Sequence, residues 1–381
     1  MRLSDCHNFS DFRELAKRRL PSPIFDYIDG GAEDETTLRR NTQAFELCDL
    51  VPNVLTGVED IDLSVTVMGQ QLAMPVYCSP TALQRLFHHR GERAVAGAAE
   101  KFTTLFGVSS LGTVSLEEVA KNYQTPQAFQ FYFHKDRGLN QAMMERAKAA
   151  DIPIMMLTVD SITGGNRERD IRSGFSIPMK LNAKAMLEFV TKPMWGLNYL
   201  THERFSLPQL EGHVDMSGSA SSIGDYFTNM LDPSMHWNDV ADMVKRWDGE
   251  FCLKGIMSSA DARRAVDIGC TGIVVSNHGG RQLDGSRSSF DQLAEIVDEV
   301  GNEIDVLFDG GVQRGTHVLK ALSLGAKAVG VGRMYLYPLA AAGQAGVERA
   351  LSLIQDELVR DMKLMGKTSI TQLSTENIRF R

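Results

Sequence analysis

Short apolar runs rich in β-branched residues recur along the chain from residue 74 onward, and helix-length amphipathic stretches separate most of them. The eight runs lie at 74–78, 103–108, 128–131, 152–158, 251–253, 272–275, 304–308 and 328–331. The helical stretches lie at 91–101, 116–122, 139–150, 259–268, 289–300 and 316–324. Runs that are apolar at every position are typical of strands buried on both faces. The alternation therefore predicts an α/β fold, a (β/α)8 TIM barrel with its helices outside.

The chain is longer than such a barrel needs, because 381 residues exceed the roughly 250 of a typical one. We predict a single domain over residues 1–381. Its parts are a helical cap at 1–73, the barrel at 74–172 and 251–345, a long loop insertion after the fourth strand at 173–250, and a C-terminal helix and tail at 346–381. In the cap, Pro21 stops a helix over 10–20, and a second helix ends at Gly30 and Gly31.

Polar residues or turn-forming glycines follow the end of every predicted strand. In chain order they are Ser79, Pro80 and Thr81; Ser109 and Ser110; Gln130 and Tyr132; Thr158 and Asp160; Lys254; Ser276, Asn277 and His278; Asp309, Gly310 and Gly311; Gly332 and Arg333. The carboxyl ends of parallel barrel strands meet at one face, where barrel enzymes build their active sites. A purely structural role would leave these positions mixed, so the pattern favours an enzyme.

The loop after the sixth strand concentrates the most chemistry. Within six residues it holds Ser276, Asn277, His278 and Arg281, with Gly279 and Gly280 among them. A histidine can accept a proton near neutral pH, and an arginine presents a forked cation that suits a carboxylate. A lone His-x-x-Arg is more often part of an ordinary solvated loop. Its position among other polar strand ends instead predicts removal of a proton from a substrate whose carboxylate is held nearby.

Two consecutive strand ends carry glycines that are typical of a phosphate site. Gly310 and Gly311 follow the seventh strand, and Gly332 with Arg333 follows the eighth. Barrels often bind phosphate at these two loops, where backbone amides and a cation face the anion. Each glycine pair alone is equally typical of a tight turn, so the hypothesis rests on their occurrence together.

Composition narrows the class of protein. The net charge is −8, which disfavours a nucleic-acid partner. The N-terminus has no apolar signal region, and no run reaches the about 18 apolar residues of a membrane-spanning helix. The five cysteines form no Cys-x-x-Cys pair. They predict reduced thiols of a cytoplasmic protein, and no metal site is expected.

With these motifs in view, the chain resembles the FMN-dependent L-2-hydroxy acid oxidases and dehydrogenases, a family that includes glycolate oxidase, respiratory L-lactate dehydrogenase and mandelate dehydrogenase. The resemblance runs nearly from end to end, and the histidine loop is its most specific part. Its other motifs are Phe25-Asp26-Tyr27, Gly31-Ala32-Glu33-Asp34, Ser79-Pro80-Thr81-Ala82, Phe129-Gln130-Phe131-Tyr132, Leu157-Thr158-Val159-Asp160, Leu253-Lys254-Gly255, Asp309-Gly310-Gly311 and Gly332-Arg333.

The resemblance implies FMN as the cofactor and gives roles to particular residues. His278 would be the catalytic base, and Asp160 would orient its imidazole. Lys254 would stand beside the N1 edge of the flavin ring and stabilise negative charge there. The substrate, held by its carboxylate and hydroxyl, would contact Tyr27, Tyr132, Arg167 and Arg281. Further cofactor contacts would come from Pro80, Thr81, Ala82, Ser109, Gln130, Thr158, Ser276, Asp309, Gly310, Gly311, Gly332 and Arg333.

A few positions depart from the common pattern of the family. Gln313 stands where many members have a phosphate-binding arginine, so the phosphate should depend more on Arg333, with Arg314 a weak substitute. Leu111 and Gly164 stand where some relatives have bulkier pocket residues, which leaves the size of the substrate open. None of these changes removes a catalytic group.

The resemblance therefore implies oxidation of an L-2-hydroxy acid, L-lactate first, to the 2-oxo acid, with electrons passed to a quinone or other carrier. One alternative is an oxidase that uses oxygen and produces hydrogen peroxide. Another is a barrel that binds a phosphorylated ligand without turnover. The residues fit departure of the Cα hydrogen either as a hydride or as a proton. The family also implies a homo-oligomer, a tetramer.

Residues 177–200 of the insertion mix apolar and aromatic side chains with Lys180, Lys184 and Lys192. This composition is too polar to span a bilayer but suits the surface of an anionic one. Related respiratory dehydrogenases approach the membrane through the corresponding insertion, which implies peripheral contact with the inner face of the cell membrane. The alternative is a lid over the active site, with the apolar groups packed on the barrel or in a subunit interface.

Overall fold

A closed barrel of eight parallel strands forms the centre of the computed structural model, which describes residues 1–175, 191–211 and 229–381. The strands are β1 (Cys48–Leu50), β2 (Val65–Val67), β3 (Gln70–Leu72), β4 (Val76–Cys78), β5 (Phe106–Ser109), β6 (Gln127–Tyr132), β7 (Ile154–Thr158), β8 (Glu250–Ile256), β9 (Gly272–Val275), β10 (Asp305–Asp309), β11 (Ala328–Val331) and β12 (Ile378–Phe380). Strands β4 to β11 form the barrel, each beside the next in sequence, and β11 closes it onto β4. The predicted (β/α)8 barrel is confirmed.

Helices surround the barrel and cap one of its ends. They are α1 (Phe9–Arg19), α2 (Ser22–Asp29), α3 (Thr36–Glu46), α4 (Glu92–Lys101), α5 (Leu116–Asn122), α6 (Arg137–Ala149), α7 (Glu168–Ser173), α8 (Pro193–Thr201), α9 (Trp237–Trp247), α10 (Ser259–Asp267), α11 (Ser289–Val300), α12 (Gly315–Ser323) and α13 (Arg333–Met365). Each barrel helix buries its apolar face against the strands. Of the helices that the structure describes, none is long and apolar enough to cross a membrane.

The barrel interior is filled by a small core of its own, made of Tyr77, Leu105, Ala128, Ile154, Met156, Cys252, Val274, Leu307 and Ala328. The hairpin of β2 and β3, which the sequence pattern did not predict, packs Val67, Met68 and Leu72 against this core. Side chains thus occupy the centre of the barrel, as is usual for this fold. A ligand therefore has to bind at an end of the barrel, outside this core.

Strand register explains why polar strand ends that are distant in sequence meet. Ser109 pairs with Gln130 across β5 and β6, and Thr158 pairs with both Tyr132 and Lys254 across β6, β7 and β8. The pairing is parallel throughout the barrel, so all these ends lie at the same face.

Several predicted boundaries differ from the structure. Strand β5 begins at Phe106 because Thr103 adopts φ +46° in the turn that follows α4. Part of the range 173–250, predicted as a long loop, is helical, since α8 and α9 lie within it. Helix α13 consists of the last barrel helix and the C-terminal helix, which meet at a kink at Ala342 and Gly343 rather than at the predicted boundary after residue 345.

The N-terminal cap is joined to the rest of the protein through Asp29 at the end of α2. Its carboxylate accepts hydrogen bonds from Arg13 at 2.6 and 2.8 Å, from Arg169 at 2.7 Å and from the Tyr337 hydroxyl at 2.6 Å. Burial alone would raise the pKa of Asp29, but these donors hold it well below its usual value. One carboxylate thus ties α1, α7 and α13 to the helix that carries Tyr27.

We predict that Asp29→Asn lowers the free energy of unfolding by roughly 2–3 kcal/mol, because buried donors are left with a weaker acceptor. The matched control is Asp49→Asn, which removes the exposed ion pair with Arg381 and should leave the free energy of unfolding almost unchanged, because water screens that pair. Urea unfolding measures both variants. Equal losses of stability would contradict the role of Asp29.

The same carboxylate should make stability depend on pH. Because the folded-state pKa of Asp29 is depressed, its contribution is fully present above the unfolded pKa of about 4 and is lost as the pH falls through the folded-state value. Acidification in the urea assay should therefore remove more stability from the wild type than from Asp29→Asn.

Candidate active site

A cavity with an empty volume of about 1220 Å³, counted out to its open mouth, lies at the carboxyl end of the barrel strands. Helices α2 and α3 of the cap contribute to its lining. The predicted site residues that line it are Tyr27, Pro80, Thr81, Ala82, Ser109, Tyr132, Arg167, Lys254, His278, Arg281, Asp309, Gly310, Gly311, Gly332 and Arg333. Its lining combines apolar side chains with a few convergent cations and glycine loops, which is typical of a ligand pocket.

His278 and Asp160 meet at the cavity although they come from different strand ends. Nδ1 of His278 lies 3.0 Å from Oδ1 of Asp160, which also accepts a hydrogen bond from the Ser161 hydroxyl at 2.9 Å. This arrangement makes Nδ1 the donor to the carboxylate and leaves Nε2 as the nitrogen that can accept a proton. The pair therefore has the geometry of a general base with an orienting carboxylate.

The electrostatics of the pair favour an ionised carboxylate. Burial would raise the pKa of Asp160, but the imidazole of His278 and the cation of Lys254 lower it below its usual value. Among the described residues, Oδ2 of Asp160 is buried and has no hydrogen-bond partner. A fixed negative charge thus lies behind the imidazole and stabilises its protonated form.

Two arginines and a tyrosine lie together on another part of the cavity wall. The guanidinium of Arg281 lies 4.9 Å from the ring centre of Tyr27, and that of Arg167 lies 5.9 Å from it. Arg281 donates through Nη1 to the backbone oxygens of Tyr27 at 2.7 Å and Gly30 at 2.8 Å. Within the described part of the chain, neither arginine forms an ion pair with a carboxylate.

This arrangement of like charges is unfavourable without an anion. Burial lowers the pKa of Arg281 to about 9, and repulsion by Arg167 is the next cause. A bound carboxylate would offset both effects, because it would return a counter-charge and accept forked hydrogen bonds. The wall is therefore suited to an organic acid.

Lys254 extends from β8 and is buried at the cavity, where its Nζ donates to Oδ2 of Asp309 at 2.6 Å and to the hydroxyl of Ser276 at 2.9 Å. A buried cation held in this way cannot rotate away from its site. It can stabilise negative charge on a ligand in contact with it, since no reorganisation is needed when the charge develops.

Four predicted residues do not line the cavity but lie directly behind residues that do. Gln130 accepts from Ser109 at 2.9 Å and donates to Thr158 at 2.7 Å, which fixes the Ser109 hydroxyl at the wall. Ser276 supports Lys254, and Asp160 supports His278. For Gln130 and Thr158, direct contact with a cofactor stays a prediction.

The glycine loops after β10 and β11 have the conformations that a phosphate site requires. Gly310 and Gly311 adopt φ of +121° and +73°, a region that favours glycine. A Cβ on Gly311 would lie 2.2 Å from the backbone oxygen of Asn41, so no larger residue fits. A Cβ on Gly332 would meet no atom within 4 Å, which leaves open space where α13 begins.

Arg333 is held beside this open space by the cap. It donates to the backbone oxygens of Ile28 and Gly30, each at 2.8 Å. Gln313 also lines the cavity and donates to Thr42 at 3.2 Å. Arg314, by contrast, does not line the cavity and forms an ion pair with Glu357 at 2.8 Å. The anion site therefore depends on Arg333 rather than on Arg314.

The residues present fit FMN. A helix amino end with an adjacent guanidinium suits its phosphate, and the open space at Gly332 lies there. The Ser79 hydroxyl is buried at the wall beside the hydroxyl of Tyr77, where it can contact a polar atom of the ligand. Lys254 supplies the cation that a ring gaining electrons requires.

Sequence reasoning missed the contribution of α3, through Leu38, Asn41 and Thr42, and several apolar wall residues, namely Phe9, Ile28, Phe87, Val312 and Leu336. Sequence reasoning did not predict helix α3, because two of its four buried positions, Thr37 and Asn41, are polar. The only signal was their spacing with Ala44 and Phe45, which places all four on one helical face.

Comparison with known proteins places this geometry in a family. The family model described as FMN-dependent dehydrogenase matches residues 16–380. The chain is 42% identical over 368 residues to an L-lactate dehydrogenase of Pseudomonas syringae pv. syringae, with 96% of each chain covered. It is 41% identical over 372 residues to an L-lactate oxidase of Nostoc, with 97% of this chain and 96% of the relative covered.

A solved structure gives the same result. The crystal structure of the monotopic membrane protein (S)-mandelate dehydrogenase superposes with a TM-score of 0.93 at 33% identity, covering 99% of this chain and 100% of that one. The family model, the relatives and the barrel agree over nearly the whole length. The chain is a member of the FMN-dependent dehydrogenase family, whose enzymes oxidise L-2-hydroxy acids.

Proposed function

We propose that this enzyme oxidises L-lactate to its 2-oxo acid and passes the electrons to a membrane quinone. The observation that carries the proposal is that one cavity is lined both by the half-buried Arg167 and Arg281 and by His278, which Asp160 orients. The L-lactate dehydrogenase and L-lactate oxidase among the relatives support lactate as the substrate.

In the proposed reaction, Arg167 and Arg281 bind the substrate carboxylate and fix its orientation. Two tyrosines line the same space, each with an apolar ring and one hydroxyl. Tyr27 stacks on Phe175 with 4.5 Å between the ring centres, and Tyr132 is buried. Orientation by a forked contact removes rotational freedom before the chemical step, which is a large part of what an enzyme contributes.

His278 then accepts a proton from the substrate at Nε2, while Asp160 holds the imidazole and stabilises its cation. The bound FMN supplies the redox chemistry, which is acceptance of the two electrons that the substrate loses. Lys254 faces the negative charge that this transfer creates, and its contacts with Asp309 and Ser276 keep it in place.

The insertion after the fourth barrel strand supports a membrane quinone as the electron acceptor. On α8, the side chains of Met194, Leu197 and Leu200 are 68%, 56% and 81% exposed, and their spacing places them on one face. Lys192, just before α8, donates to the backbone oxygen of Arg18 at 2.9 Å, so the basic end of α1 lies beside this face. Apolar groups beside cations suit an anionic membrane surface.

The remaining part of the predicted membrane segment, 177–190, lies outside the described residues. Peripheral association with the membrane, a cytoplasmic location and a homotetramer are likewise part of the proposal. The mandelate dehydrogenase of similar fold is a monotopic membrane protein, which supports the first of these.

The second candidate is an oxidase that delivers electrons to oxygen and produces hydrogen peroxide. The similarity to the Nostoc L-lactate oxidase favours it, because that relative is almost as similar as the dehydrogenase.

We expect the purified holoenzyme to be yellow and to bleach when L-lactate is added without air. In stopped-flow experiments, a soluble quinone analogue should then restore the colour faster than oxygen at equal concentration. Faster reoxidation by oxygen, with peroxide formed, would establish the oxidase instead. Failure of L-lactate to bleach the flavin would exclude it as the substrate.

Arg281→Lys should lower kcat/KM for L-lactate by about 10–100-fold, because a point charge cannot reproduce a forked contact worth roughly 1.5–3 kcal/mol. Arg167→Lys should act in the same direction. The control is Arg314→Lys, which keeps a charge beside Glu357 and should leave kcat/KM near the wild-type value. Unchanged kcat/KM in both site variants would remove the arginines from the substrate site.

Binding of anionic vesicles should weaken in the double variant Leu197→Glu/Leu200→Glu, because it places two carboxylates on the exposed face of α8. Leu364→Glu is a matched control, since this leucine is 67% exposed but lies on α13. Co-sedimentation with vesicles containing anionic lipid is the measurement. If all three proteins sediment equally, α8 is not the membrane contact.

A further inference from the structure

We infer that Asp284 is a positioning residue for the catalytic base, because it caps α3 from within the histidine loop and so holds His278 in its active conformation. This inference rests on the proposed function, since it takes His278 as the base.

Helix α3 begins without a cap of its own. The residue before it, Glu35, adopts φ +57° and its side chain accepts no hydrogen bond from the first turn. Asp284 supplies the missing acceptor, with Oδ1 2.8 Å from the amide of Thr37 and Oδ2 3.2 Å from that of Thr36. Burial would raise the pKa of Asp284, but these amides lower it overall. A carboxylate at a helix amino end is stabilising through both hydrogen bonds and the helix dipole.

One turn further along, α3 contacts the histidine loop at a second point. Asn41 and Asn277 are both buried, and their amides donate to each other at 2.8 and 2.7 Å. Asn277 also accepts from the amide of Gly280 at 3.1 Å and donates to the backbone oxygen of Arg287 at 3.1 Å. The loop is thus fixed to α3 on both sides of His278.

The contacts of Asp284 and Asn277 with α3 are needed because the backbone of His278 is held in an unfavourable conformation. It adopts φ +59°, in the left-handed region, which residues other than glycine occupy only under strain. Such a conformation persists only where neighbouring contacts determine it. If the loop relaxed to negative φ, the imidazole would leave the position 3.0 Å from Asp160.

The same helix also contacts the phosphate loop. Thr42 donates to the backbone oxygen of Gly311 at 3.3 Å, and Asn41 lies so close to Gly311 that no Cβ fits between them. Helix α3 therefore sets the distance between the base and the cofactor cradle. A shift of its amino end should disturb the alignment of His278 with the flavin before it disturbs cofactor binding.

The test compares Asp284→Ala with Asp136→Ala in the full-length holoenzyme. Asp136 caps α6 through the amides of Gly138 and Leu139, also at 2.8 and 3.2 Å, and does not line the cavity. Each variant should show a similarly lowered Tm, because each loses the acceptor of two helix-end amides. Only Asp284→Ala should lower kcat, by about 10–100-fold, with KM and FMN content little changed. Asp284→Asn should restore part of kcat.

A double-mutant cycle with His278→Gln separates positioning from simple destabilisation. If Asp284 acts through His278, adding Asp284→Ala to His278→Gln should not lower kcat further. Additive effects, or a lower Tm with unchanged kcat in Asp284→Ala, would overturn the positioning role alone. If His278→Gln by itself kept the wild-type kcat, the assignment of the base would fail, and this inference with it.

Discussion

The active site depends on the carboxyl end of α2. Its last backbone oxygens have no partner within the helix, and they carry the negative end of the helix dipole. Arg281, from the histidine loop after β9, and Arg333, from the glycine loop after β11, donate to the backbone oxygens of Tyr27, Ile28 and Gly30. The contact satisfies the helix end and holds both guanidiniums, so the cap and the barrel are each incomplete without the other.

The cavity carries positive charge in a protein that is negatively charged as a whole. The protein has a net charge of −8, yet cations from Arg167, Lys254, Arg281 and Arg333 line its cavity. Asp309 neutralises Lys254 and Asp160 faces His278, so among the described lining residues the arginines keep excess positive charge. In a poorly solvated cavity the electrostatic attraction between such charge and an anion is stronger than in water. Such charge suits two anions, a phosphate beside the glycine loops and a carboxylate beside the tyrosine wall.

Much of the site was visible in the sequence because barrel geometry converts a one-dimensional pattern into a location. Residues that follow parallel strands must meet at one face, so Lys254, His278 and Asp309 could be grouped before any distance was known. Roles that depend on direct contacts could not be assigned in this way. Arg314 is close in sequence to the glycine loop after β10, but its guanidinium forms an ion pair with Glu357. Gln130 and Thr158 lie behind the wall rather than in it.

The sequence by itself determined the (β/α)8 barrel, the face that carries the chemistry and most of the residues there, because buried strands and their polar ends are repeated local patterns. Only the tertiary structure decided how α3 takes part. Its buried face includes Thr37 and Asn41, and its amino end is capped by Asp284 from a distant loop. Apart from the spacing of its buried positions, no local pattern indicates such a helix, because its polar groups are satisfied by partners that only folding brings within hydrogen-bond distance.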